Sequence, residues 1–275
     1  MSVALAATLH DATGALAGEI RRRLPAMRRL YPAGIAISTS PPTSARVVSS
    51  LGAAGVHAGS PRTNTRGPLY RLALRRALAT EAERVHYLDF DRALHWLAVA
   101  PGEYAAVLRT AAARRALLVG RTEKAHRSHH RPLYATETIA NGLMADRLGW
   151  RGRIDFLVPS FVMDRAHTAA LLRASVARQN SMYGEWAALV AATTGLVYVE
   201  CRGLEWETPD RHRREVARIG IDAWRDHFDT AEEWKARSDM ATAIVAGFET
   251  ALAKLPAARH RSPTRLRPRA AASPR

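Results

Sequence analysis

The feature that most constrains this chain is the alternation of short apolar runs with amphipathic stretches over residues 3–88. Residues 3–8 are apolar up to Thr8, as a strand buried on both faces would be. Residues 15–30 then place Leu16, Ile20, Leu24, Met27 and Leu30 at mixed three- and four-residue steps, the spacing of a helix with one apolar face. Pro32-Ala-Gly34 stops that helix, and 35–38 reads as a second strand. Pro41-Pro-Thr-Ser44 opens a helix carrying Val47, Val48 and Leu51; 55–57 is a third short strand; 69–82 is a basic helix; 85–88 is a fourth strand. Strand and helix repeated with short connections predict an α/β fold: three layers, a Rossmann-like, mostly parallel sheet and helices on both faces.

In such sheets ligands gather at the carboxyl ends of the strands. Polar groups stand at three of those ends: Thr8, His10 and Asp11; Ser38 and Thr39; Asp89 and Asp91. The second half is less regular, with strands at 117–120, 156–163 (interrupted by Pro159) and 196–200. Helices are expected at 133–148, 166–176, 185–192, 209–219 and 230–255, and a polar loop at 121–131. With no internal repeat and no linker, residues 1–256 read as one domain.

Charge qualifies this picture. The net charge of +16 suggests nucleic acid, but 38 of the basic residues are Arg and three are Lys, a bias shared with the many Ala residues. Residues 257–275 hold six Arg, no acid and much Pro, Ser and Ala, so a disordered basic tail is expected, able to touch RNA or acidic lipid headgroups weakly. No apolar run approaches the roughly 18 residues of a membrane span, and residues 1–8 lack a basic signal-peptide start; a cytoplasmic protein is expected. Cys201, the one cysteine, excludes an intramolecular disulfide and reads as a small buried filler.

The acids at the fourth strand end, in "YLDFD", raise the main chemical question. On an extended segment Asp89 and Asp91 would point the same way, because side chains alternate with period two. Two hard oxygen donors on one side suit Mg²⁺ or Mn²⁺, which keep waters and take other ligands from a diphosphate. The plain alternative is an Asp89 that ends the strand and an Asp91 that caps the next helix.

Strand–helix repeats leading to an apolar strand that ends in Asp-x-Asp resemble the GT-A fold of nucleotide-sugar-dependent glycosyltransferases. The resemblance covers most of residues 3–220 in element order. It implies transfer of a sugar from a nucleotide-diphosphate sugar to an acceptor, with Asp89 and Asp91 holding a divalent metal against the donor's diphosphate. It implies a later carboxylate base, for which Glu185, after a small Gly184 that would let a substrate approach, is the candidate, although family members often place two acids there and this chain has one. His212 is the nearest late histidine that would complete a metal shell.

Other residues join on their own chemistry. Arg121, first of a cationic stretch running through His126, His129 and His130, suits a departing diphosphate. Arg62, Asn64 and Arg66 precede a helix whose N-terminal amides could help hold an anion, and the GT-A resemblance implies that this region borders the donor nucleotide. Glu205 and Glu207 flank Trp206 and have no role in a simple helix start. No Walker lysine and no G-x-G-x-x-G follow the first strand, so phosphate-loop and dinucleotide readings fail. The enzyme alternative is a sugar-phosphate nucleotidyltransferase, which shares the sheet and metal need, but its usual Gly-rich, basic loop is missing: Gly14 and Gly18 are present with no base before Arg21. A non-catalytic GT-A scaffold and a basic RNA-associated protein are the remaining alternatives.

Overall fold

The computed structural model describes residues 2–61, 64–255 and 263–266. In chain order the elements are β1 (Val3–Leu9), α1 (Ala17–Leu30), β2 (Ile35–Thr39), α2 (Ala45–Ala53), β3 (His57–Gly59), α3 (Arg66–Leu78) and β4 (Arg84–Tyr87). They continue as α4 (Phe90–Val99), α5 (Pro101–Ala112), β5 (Ala116–Arg121), α6 (Glu123–Arg127), α7 (Arg131–Arg147), β6 (Phe161–Asp164), α8 (Arg165–Ala174), α9 (Ser181–Ala191) and β7 (Leu196–Cys201). A 3₁₀ turn (Thr208–Arg211), α10 (Arg213–Ile219), α11 (Ile221–Asp226), α12 (Ala231–Leu252) and β8 (Thr264–Leu266) complete the described chain.

The sheet runs β3-β2-β1-β4-β6-β5-β7-β8. Every neighbouring pair is parallel except those made by β6, which lies antiparallel between β4 and β5, with Met163 opposite Val85 and Ala116. Period-two alternation along β1 builds the layers. Ala4 and Ala6 join a core with Leu74, Tyr87 and Phe161 under α3, α9 and α12. Val3, Leu5 and Ala7 join the opposite core with Ile20, Leu24 and Trp96 under α1, α4 and α5. This is the three-layer α/β arrangement that the GT-A resemblance implies. No helix among the described residues is long and apolar enough to cross a membrane.

Three differences from the sequence reading have local causes. The polar stretch after β5 is not a loop: Thr122 caps α6 by accepting from the Ala125 N–H, and His126, His129 and His130 are buried. Gly184 admits a helix, not a substrate, because a Cβ there would overlap the carbonyl oxygen of Ile244 on α12. Residues 264–266, expected in a disordered tail, pair as β8 with the edge strand β7; the rest of that stretch, apart from Pro263, lies outside the described residues. Cys201 is buried and free.

Candidate active site

At the carboxyl ends of β1, β2 and β4 lies a cavity of about 590 Å³ lined by Thr8, His10, Ser40, Asn64, Arg66, Tyr70, Asp89, Asp91, Arg92, Asn180, Tyr183 and Glu207. β4 stops at Tyr87 and α4 begins at Phe90, so Asp89 and Asp91 straddle a strand-to-helix junction rather than sharing an extended strand. Strand alternation is therefore not what brings them together. Asp89 holds extended angles (φ −59°, ψ 138°) and Asp91 sits in the first helical turn, and both face the cavity.

Asp89 occupies the N-cap position of α4 yet makes no capping bond. Hydroxyls from β1, from the end of β4 and from α3 surround it instead. Thr8 Oγ1 donates to Oδ1 at 2.7 Å and Tyr87 Oη to the same oxygen at 3.1 Å, while Tyr70 Oη is 3.5 Å from Oδ2. The Tyr70 hydroxyl also meets that of Tyr183 at 2.9 Å. Burial, and then the charge of Asp91, raise the Asp89 pKa against the pull of Arg92 and these hydroxyl donors.

Asp91 Oδ1 accepts the backbone N–H of Arg92 at 2.9 Å, and Oδ2 pairs with the Arg211 guanidinium. Arg92 Nε lies 4.0 Å from Asp89 Oδ2 and 3.7 Å from Glu207 Oε1. Burial opposes the charge on Arg92, but Glu207 and Asp89 outweigh it and hold the guanidinium protonated. Glu207 is 8% exposed and its Oε2 has no hydrogen-bond partner. Burial raises its pKa, with Arg92 pulling down and Asp91 pushing further up. Around this cavity three carboxylates (Asp89, Asp91, Glu207) stand against three guanidinia (Arg66, Arg92, Arg211).

The structure brings Thr8, His10, Asn64, Arg66, Asp89 and Asp91 to one cavity. Arg62 lies outside the described residues. Five expected residues are elsewhere. The Asp11 carboxylate is spent on the backbone N–H groups of Gly14, Ala15 and Leu16, which lead into α1. Ser38 is buried within β2, away from the cavity lining. Arg121 is fully buried and held by Asp155 and Glu137, so it cannot meet a leaving group. Glu185 accepts from Ser175 Oγ (2.6 Å) and from the N–H groups of Val176 and Ala177 (2.8 and 2.9 Å), closing the turn after α8 on the α12 side. His212 is half exposed, 3.9 Å from Glu215 and packed on Trp224, and takes no part in the lining.

The sequence reading missed Tyr70, Arg92, Tyr183, Glu207 and Arg211. Arg92, directly after the acid pair, and Glu207, left without a role beside Trp206, carried a signal. Tyr70 and Arg211 did not.

Among the described residues, no three His, Cys, Asp or Glu side chains converge as a metal site. Asp89 and Asp91 nevertheless offer two carboxylates to one cavity. Such a pair suits Mg²⁺ or Mn²⁺ once a diphosphate and waters supply the remaining ligands.

Solved structures give the following likenesses. Mannosyl-3-phosphoglycerate synthase from Rubrobacter xylanophilus aligns at 17% identity and TM-score 0.48, over 82% of this chain and 74% of that one. Glucosyl-3-phosphoglycerate synthase from Mycobacterium tuberculosis aligns in complex with phosphoglyceric acid at 13% identity and TM-score 0.45, over 93% and 81%. The same enzyme with Mn²⁺ and uridine-diphosphate-glucose aligns at 13% identity and TM-score 0.41, over 81% and 67%. The likeness is one of fold. No family model and no curated protein matches the chain.

Proposed function

We propose that this cavity binds a nucleotide-diphosphate sugar and that the protein is a glycosyltransferase. The carrying observation is the convergence of Asp89, Asp91, Arg92 and Glu207 on one polar cavity at the carboxyl edge of a mostly parallel sheet. The nucleoside lies toward His10, Ser40 and Asn64, and the diphosphate toward the acid pair. The cavity's charges already balance, so a diphosphate, carrying about two negative charges or more, calls for an added cation. Asp89 and Asp91 would hold Mg²⁺ or Mn²⁺ for that purpose, and the bound ion would neutralise charge that grows on the leaving diphosphate.

The chain's own groups do the rest. Thr8, Tyr70 and Tyr87 orient the Asp89 carboxylate. Arg66, half-exposed at the rim and 5.8 Å from the Tyr183 ring centroid, and Arg92 present guanidinia to phosphate oxygens. Glu207, which lines the cavity and has a raised pKa, replaces Glu185 as the group to accept an acceptor hydroxyl's proton.

The test is calorimetric titration with UDP and GDP, with and without Mn²⁺. Wild type should bind one of them in a Mn²⁺-dependent way, and the double variant Asp89→Ala, Asp91→Ala should lose that binding while keeping its circular dichroism and melting transition. Equal nucleotide affinity in the two proteins would refute the assignment.

A further inference from the structure

The counter-ion of Asp91 has no part in the reaction just described. Arg211 comes from the 3₁₀ turn, 120 positions later in the chain, and its Nη2 pairs with Asp91 Oδ2. Its Nη1 donates to the carbonyl oxygen of His10 at 2.5 Å, so the guanidinium bridges the end of β1 and the start of α4. The side chains of Arg211 and Asp91 are 19% and 20% exposed, shielded yet reachable. The turn itself is tied down separately: Asp210 accepts from His95 (2.8 Å) and from Arg213 (3.2 Å), and Arg213 also pairs with Glu19 at 2.7 Å. The Arg211 side chain can therefore move without the turn being released.

We infer that Arg211 is the resident counter-ion of Asp91 in the donor-free protein, and that Arg211 and a divalent cation exclude each other there. Asp91 Oδ1 already accepts the Arg92 N–H and Oδ2 carries the guanidinium, so a cation bonding at about 2.0–2.6 Å would have to share this one carboxylate with a full positive charge. The cation binds well only when the guanidinium leaves; otherwise two positive groups repel each other across a single carboxylate. A diphosphate provides what the displaced guanidinium needs, paired anionic oxygens that accept from its planar fork of N–H donors. Cation and nucleotide then each remove part of the other's cost, and bind with positive coupling.

This inference rests on the reading of the cavity as a nucleoside-diphosphate site, and the experiment separates the two. Mn²⁺ alone is titrated into wild type, Arg211→Gln, Arg211→Ala and Asp91→Asn, with free Mn²⁺ read by electron paramagnetic resonance, and each titration is repeated with UDP and with GDP. A charge-assisted hydrogen bond that must be broken predicts that both Arg211 variants bind Mn²⁺ alone about tenfold more tightly than wild type. Wild type should gain more from the nucleotide than the variants do, and Asp91→Asn should bind Mn²⁺ poorly throughout. Wild-type Mn²⁺ affinity in both Arg211 variants, each with native circular dichroism, would overturn the exclusion. Tighter Mn²⁺ binding in the variants with no response to either nucleotide in any protein would leave the exclusion standing. It would overturn the coupling, together with the nucleotide reading.

Discussion

Replacing Arg121 with Met tests whether this residue holds the fold or serves the reaction. Arg121 Nε and Nη2 meet the two oxygens of Asp155 at 2.7 and 3.0 Å, and Nη2 meets Glu137 Oε2 at 2.5 Å. All three side chains are buried, and Asp155 accepts further from Asn141 and from the N–H groups of Arg121 and Leu157. Methionine fills most of the volume but leaves two carboxylates facing each other without their cation. Breaking a buried pair in this way costs about 3–5 kcal/mol, a large share of a stability of roughly 5–15 kcal/mol. The penalty should depend on pH with a definite sign. In wild type the guanidinium overcomes burial and holds Asp155 and Glu137 below their ordinary values of 3.8 and 4.5, so both stay charged at pH 5. Without it burial and the mutual repulsion of the two carboxylates are opposed only by His126 and the remaining hydrogen bonds, so both pKa values rise and protonation relieves the unpaired charge. The stability difference between wild type and Arg121→Met, from urea unfolding, should therefore shrink between pH 7 and pH 5. Nucleotide affinity of the folded variant should be kept. An unchanged urea midpoint, or lost nucleotide binding at wild-type stability, would refute this account and restore Arg121 to the site.

The remaining predictions address the two glutamates and the core histidines. Glu207→Gln should keep Mn²⁺-dependent nucleotide binding while turnover of the nucleotide sugar selected by the binding screen falls about 100-fold or more, the scale of a lost general base; unchanged turnover would remove Glu207 from the chemistry. Glu185→Gln should lower stability by about 1–3 kcal/mol, because three donors lose a charged acceptor, and leave nucleotide affinity alone; weakened binding at full stability would contradict its structural role. His86, fully buried between the Tyr31 and Ser160 hydroxyls, is pushed down to about 3 by burial, and burial together with Arg237 pushes His130 to about 4. The unfolded chain takes up those protons first, near pH 6.5, so stability is full above that pH and falls by up to about 1.4 kcal/mol per unit per histidine as pH drops toward the folded values. Urea midpoints that stay flat from pH 7.5 to 5.5 would show that these rings are not held neutral.

Local pattern determined much of this protein. The apolar run of β1, the helical steps of α1 and the stops at Pro32 and Gly34 follow from neighbours within a few positions, and they carried the layered α/β architecture. The strand-end rule then placed Thr8, His10, Asp89 and Asp91 on one cleft, because parallel strands put all their carboxyl ends on the same edge. Tertiary structure decided what depends on distant partners. The reversal of β6 is set by its pairing with β4 and β5, which its own sequence does not encode. Arg121 and Glu185 read as exposed, functional charges until Asp155, Glu137 and the turn after α8 enclosed them; whether a charge is solvated or buried is a property of everything packed around it. Arg211 reached Asp91, and Glu207 faced Arg92, only when the chain after β7 folded back over the first strand ends, a closure across more than a hundred residues that no local spacing records.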